Sequence, residues 1–166
     1  QVLGFNSDTE NIIFYEDDGK MMATTKEAVT IDPVGIAVNT LPRAEGTKNQ
    51  KVVMETDSLW SSLSDKDVYV TLEDNDNDRI YYQTLHLRQR FCTYNIKVKK
   101  VENSDKICSL VAASVSGLAA GVSLSDGAKT TEKVIVPFSM SLTSNMELQG
   151  SFLCFGKTPD ANISNK

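Results

Sequence analysis

Most of what catalysis, nucleic-acid binding and membrane insertion require is scarce in this chain. Its 166 residues hold one histidine, one tryptophan and three cysteines, and 17 basic residues are set against 22 acidic ones. No stretch of eighteen apolar residues occurs, so no helical membrane span is encoded. The mildest run, Ile107 to Val122, is broken by Ser109, Ser114, Ser116 and two glycines. A net charge of −5 with scattered Lys and Arg argues against a nucleic-acid partner, because phosphate binding depends on clustered cations that displace counterions. The only basic cluster is Lys97, Lys99 and Lys100, with Arg88 and Arg90 upstream. Its strand spacing reads as a solvated edge or face. No basic-then-apolar signal segment opens the chain. Gln1 is not a natural start and runs directly into a strand-like stretch, so further sequence is expected upstream.

The cysteines exclude a framework. Cys92, Cys108 and Cys154 are odd in number and widely spaced, which fits neither a disulfide scaffold nor a CxxC metal site. Cys92 and Cys154 fall inside apolar strand patterns, where cysteine acts as a small hydrophobe. One pair would bridge in an oxidising compartment only if its geometry allowed it.

Reactive constellations are equally thin. His86 lies among Leu85, Leu87 and Arg88 on a strand and reads as a surface or interface histidine. Asp74-Asn-Asp-Asn-Asp-Arg79 resembles the opening of a calcium loop, but Arg79 and Leu85 occupy the positions that need glycine and a bidentate glutamate. That segment is expected to be a solvated hairpin turn. Asp17-Asp18 also sits in turn-like, polar surroundings rather than in a cleft lined with aromatics. The chain has no GxSxG, phosphate loop, HExxH or dinucleotide fingerprint. We therefore assign no catalytic, cofactor-binding or metal-binding residue, and expect no cofactor and no enzymatic activity.

What is present is β periodicity around a core of ordinary size, with 40% hydrophobic and 23% charged residues. From Gln1 to about Val38, short apolar bursts are separated by Asn6-Ser7-Asp8 and Asp17-Asp18-Gly19, which predicts two or three strands. Leu41 to Gln50 is rich in breakers and reads as a linker or long loop. Beyond it, Val68, Val70 and Leu72 alternate with polar neighbours. Arg79 to Val101 reads as one long strand, bent where the apolar parity changes at Gln89-Arg90. Val134, Val136, Phe138, Met140 and Leu142 make the cleanest alternation, with Pro137 on the opposite face favouring an edge or a bulge. Leu148, Phe152 and Cys154 share one face of the last strand. Asn103-Ser104-Asp105 ahead of Ile107, Leu110, Val111, Ser114 and Val115 has helical spacing, and Gly117 stands where a C-terminal cap belongs. The expectation is an all-β sandwich with one short crossover helix, preceded by the tail of a second β domain. Residues 1–45 would be the remnant of the N-terminal β domain plus linker, and residues 46–166 the C-terminal sandwich domain.

Two segments carry a family resemblance. Gln1-Val-Leu-Gly-Phe-Asn-Ser-Asp-Thr-Glu-Asn-Ile-Ile-Phe14 is similar to the end of the N-terminal domain of fimbrillin-like lipoproteins of Bacteroidales. The succession Tyr94-Asn-Ile-Lys-Val-Lys-Lys-Val-Glu-Asn103, Val115-Ser-Gly-Leu-Ala-Ala-Gly121, Val134-Ile-Val-Pro-Phe138 and Leu148-Gln-Gly-Ser-Phe-Leu-Cys-Phe-Gly156 resembles their C-terminal domain. The resemblance implies transthyretin-like sandwich domains, outer-membrane anchoring through a lipid on an N-terminal Cys outside this chain, and a minor or anchoring fimbrial subunit acting in cell adhesion. It implies pilin-like partners joined by strand addition, and it brings no catalytic residues. Related pilins mature by trypsin-like cleavage, which makes Arg43 a candidate processing point. A second reading is a stand-alone surface lipoprotein that binds glycan or host protein through exposed Trp60, Tyr81 and Tyr82. Against it, a lone large aromatic such as Trp60 is expected to be a core or inter-domain anchor.

Overall fold

The structure, a computed structural model, describes residues 2–31, 36–37, 41, 43–63, 84–107 and 110–159. Outside these lie the predicted strand around Val68–Leu72, the acidic run Asp74–Asp78, Tyr81, Tyr82, Cys108 and the tail from Asp160.

Thirteen strands are described: β1 Leu3–Phe5, β2 Ile12–Asp17, β3 Lys20–Thr25, β4 Thr30–Ile31, β5 Ile36–Ala37, β6 Lys51–Val52, β7 Trp60–Leu63, β8 Arg88–Gln89, β9 Cys92–Val98, β10 Leu110–Ala119, β11 Gly121–Ser123, β12 Lys133–Leu142 and β13 Leu148–Cys154. The fold is all-β. The largest sheet runs β10-β12-β13-β9, with β6 added in parallel to the start of β12. Two three-stranded sheets, β1-β7-β8 and β11-β3-β2, contribute to a second buried cluster, which holds Ile12, Ala23, Leu59, Val122 and Leu124, with Leu3, Phe5 and Phe14 half-buried against it. Strands from both sides of residue 45 thus share sheets: β1 pairs with β7, and β3 with β11.

Local chemistry accounts for the hairpins. Asp18 and Gly19 both take positive φ (47° and 71°), as the two-residue turn between β2 and β3 requires. In β12 the even residues Val134, Val136, Phe138 and Met140 are all buried, as their alternation predicts, and they meet Phe152 and Cys154 of β13 in the main core. Pro137 sits mid-strand without harm. Ile135 accepts a hydrogen bond from Val53 N–H (2.9 Å), so the backbone of odd residues in β12 faces β6 and β13 rather than β10. Pro137 falls between the segments where β6 (Val134, Ile135) and β13 (Ser141, Leu142) pair, and its missing N–H faces that gap.

Two expectations are overturned. There is no crossover helix among the described residues: a single 3-10 turn, Ser104–Lys106, leads towards β10, which pairs antiparallel along β12 from Leu110↔Ser141 to Ala119↔Lys133. The residues between Val111 and Ser116 satisfy both periods. Spacings of three and four suggest a helix, yet Val111, Ala113 and Val115 also alternate with Ala112, Ser114 and Ser116. A ten-residue partner strand decides for β, and the serines and valines lose little because their helix propensity is low. Gly117 does need its positive φ (77°), but for a β-bulge where the register shifts between Ser116 and Leu118. Its N–H donates to Gln50 Oε1 at 3.1 Å.

The second correction concerns the long bent strand. Residues 84–87 are not strand, and β8 and β9 belong to different sheets. The parity change at Gln89-Arg90 marks the point where the chain leaves one sheet for the other. Arg90 is anchored there through N–H donation to Leu59 O at 2.8 Å.

Asp126, in the turn after β11, ties that turn to the β2–β3 hairpin. It accepts from Ala128 N–H (2.9 Å) and pairs with Lys20 at 3.4 Å. The Ala128 hydrogen bond above all, with help from Ser123 and Lys20, holds its carboxyl down at about 2 against an ordinary 3.8. Its stabilisation is therefore present above the unfolded pKa and is lost as pH falls from about 4 to about 2. Half-exposure screens the effect, so Asp126→Asn is expected to cost under about 1 kcal/mol at pH 7 and nothing resolvable at pH 2. Urea unfolding at the two pH values checks this.

Candidate functional site

Two surfaces stand out once the sheets are placed. The first is an aromatic platform on the β1-β7-β8 sheet. Trp60 is 40% exposed and opposes Gln89 in the register, and its ring meets the edge of Phe91 at 6.1 Å and 80°. Leu87, two residues before Gln89, is also exposed. The core reading of Trp60 is thus corrected. Its neighbours Leu59 and Ser61 are fully buried, and alternation turns the indole outward. Asn6 holds the strand in place: its Oδ1 accepts from Trp60 N–H (2.7 Å) while its Nδ2 donates to Ser58 O (2.9 Å). An exposed indole fixed on a strand presents an apolar face at small entropic cost, and Gln89 adds an amide beside it.

The second surface is a shallow polar trough of about 580 Å³ across the outer face of β9, β13 and β12. Asn95 and Lys97 of β9, Gln149 and Ser151 of β13, and Ser139 and Ser141 of β12 line it. Gly150 lets the strands close up here, since a Cβ at that position would stand 2.5 Å from Ser139 O. Lys97 bonds Glu147 at 2.6 Å, and this contact first of all holds the Glu147 carboxyl below its ordinary value. The trough offers amides and hydroxyls, with Ile96 and Gly150 completing its lining and no aromatic side chain in it. Of its polar residues the sequence singled out only Lys97, as part of a basic cluster, although each lies on the face opposite the apolar alternation.

The remaining predicted residues do not converge. His86 is exposed. Lys97, Lys99 and Lys100 are solvated as expected. Arg90, from the same basic set, is instead half-buried and structural. Arg43 is pinned by donation to Lys48 O (3.1 Å) and Gln50 O (3.2 Å), in a loop whose Leu41 and Thr47 are buried. Among the described residues, no group of three His, Cys, Asp or Glu side chains is placed to hold a metal ion, and no helix is long and apolar enough to cross a membrane.

A family model described as Domain of unknown function (DUF5119) matches residues 1–139. No curated protein matches the chain. The fold is similar to the crystal structure of a candidate adhesin from Bacteroides ovatus, with a TM-score of 0.56 at 15% sequence identity. The match covers 97% of this chain and 50% of the other, so the chain spans about half the length of that protein. At such identity the likeness is one of fold.

Proposed function

We propose that this chain, which belongs to the DUF5119 family, is a non-enzymatic cell-surface adhesion protein: a minor or anchoring fimbrial subunit that joins pilin-like subunits by strand addition. The observation that carries this reading is the state of β9. Among the described residues it is the last strand of its sheet. Its apolar face is incompletely covered, with Tyr94 and Ile96 half-buried and Val98 44% exposed. Thr56 N–H donates to Leu153 O at 3.1 Å, so odd residues of β13 direct their backbone away from β9 and even residues towards it. By the register, the peptide groups of Thr93, Asn95 and Lys97 then face away from β13. A strand added there would pair with them and cover the apolar strip. The succession of fimbrillin-like segments and the fold shared with a candidate adhesin support the same reading. On this proposal the protein sits at the outer membrane, held by a lipid on an N-terminal Cys outside this chain.

Amine-reactive crosslinking of cells expressing the complete gene product, read by mass spectrometry, tests it. Lys97, Lys99 and Lys100 are expected to link to pilin-like subunits. If these lysines link to no pilin-like protein, the subunit reading fails.

The exposed Trp60 platform favours a second reading, a stand-alone surface module that binds glycan or host protein. Trp60→Ala would then reduce binding to immobilised glycans or host-cell surface at least about tenfold with little change in Tm, as the side chain lies outside the core. Unchanged binding would exclude the platform.

A further inference from the structure

We propose that Cys92 and Cys154 are a cross-strand dithiol that closes to a disulfide by exchange with an external disulfide oxidant. The two residues are direct partners in the β9–β13 register, next to the Tyr94–Phe152 pair and on the same face. The parity set by Thr56 and Leu153 makes Cys154↔Cys92 a hydrogen-bonded pair. Opposed residues of that kind have Cα atoms about 5.5 Å apart, inside the range that disulfides span. Both sulfurs lie against Gly156. Its N–H donates to Cys154 Sγ at 3.3 Å, and a Cβ at its position would stand 3.1 Å from Cys92 Sγ. Its φ of 91° disfavours any side chain, and the Lys129 side chain takes the space beside the thiols instead, with Nζ 2.5 Å from where that Cβ would stand. Both cysteines are free thiols in the structure.

Their unequal exposure orders the chemistry. Cys92 is part-exposed and Cys154 is buried. The Cys92 thiolate attacks the oxidant's sulfur and releases one thiol, leaving a mixed disulfide on Cys92. The Cys154 thiolate then attacks Cys92 Sγ, the protein disulfide forms, and the second thiol leaves. Two protein S–H groups and one R–S–S–R become one protein S–S and two R–SH. The titratable and charged groups facing Cys154 are Cys92, Tyr94 and Lys129. Burial above all pushes its thiol up to about 11, the Gly156 hydrogen bond pulls against it, and the charges of Cys92, which raises it, and Lys129, which lowers it, act less. The Cys154 thiolate fraction, and with it the rate of ring closure, therefore rises about tenfold per pH unit below that value. The bond would close a loop of about sixty residues and lock the edge strand β9 to β13. The inference is independent of what the surface binds; export would supply only the oxidising setting.

Incubation of the whole chain with oxidised glutathione, followed by alkylation and peptide mapping, tests it. The expected result is a Cys92–Cys154 linked peptide, loss of both alkylation sites and their return with dithiothreitol. Cys108→Ser should leave the yield unchanged, and Cys154→Ser should stop at a glutathione adduct on Cys92. Alkylation of both Cys92 and Cys154 after oxidation, or linkage through Cys108 instead, would overturn the proposal.

Discussion

Phe152→Ala is expected to remove about 3–5 kcal/mol of unfolding free energy, the largest single loss in the described core. The side chain is 2% exposed. Its ring stacks on Tyr94 of β9 at 5.5 Å and 11°, and packs tilted against Phe138 of β12 at 4.8 Å. Strand β13 lies between β9 and β12, so this ring joins the strands on both its flanks. Truncation opens a cavity that backbone hydrogen bonds prevent from collapsing, and it also discards two ring–ring contacts. Phe152→Leu keeps most of the volume and should lose less than half as much. Urea unfolding with an unchanged m-value checks both. A loss below about 1 kcal/mol for the alanine variant would mean that the site relaxes or that the three rings are not packed as described.

Arg90→Ala is the second large effect, expected at about 2–3 kcal/mol, through lost hydrogen bonds rather than a cavity. Arg90 Nε donates to Ser61 Oγ at 2.7 Å, and Nη2 donates to Leu124 O and Ser125 O at 3.3 Å each. Ser61 is fully buried and itself donates to Leu124 O at 2.5 Å. One guanidinium thus links the strand switch at residue 90 to the strand β7 and to the turn after β11. Gly127 leaves room for it, since a Cβ there would collide with Nη1. Lysine delivers a point charge in place of a fork, so Arg90→Lys should recover well under half of the loss. Thermal unfolding of the two variants measures this. Full rescue by lysine would show that charge, not the planar donor array, is what the site uses.

Legibility in the sequence divided along physical lines. The alternation Val134–Met140 identified a core face because a period of two has one interpretation when it persists over several residues. Asp18-Gly19 identified a hairpin because positive φ at both positions is specific to those residue types. Val111–Ser116 failed because a segment of small residues fits both periods, and Gly117 has the same positive φ in a bulge as in a helix cap. Trp60 failed for a different reason. Large aromatics are usually buried, but which face of β7 lies inward depends on the register with β1 and β8.

By itself the sequence determined the class: an all-β chain of ordinary core content, acidic, with no motif for catalysis or nucleic-acid binding. Those properties depend on composition, short-range period and turn chemistry, all local to the chain. The tertiary structure decided which segments pair. It turned a supposed helix into a long antiparallel partner of β12 and divided a supposed long strand between two sheets. It also turned Trp60 outward, assembled a polar trough from three strands, and set Cys92 opposite Cys154, which stand far apart in the sequence. Each of these depends on hydrogen bonds between residues distant in sequence, whose register no local period encodes.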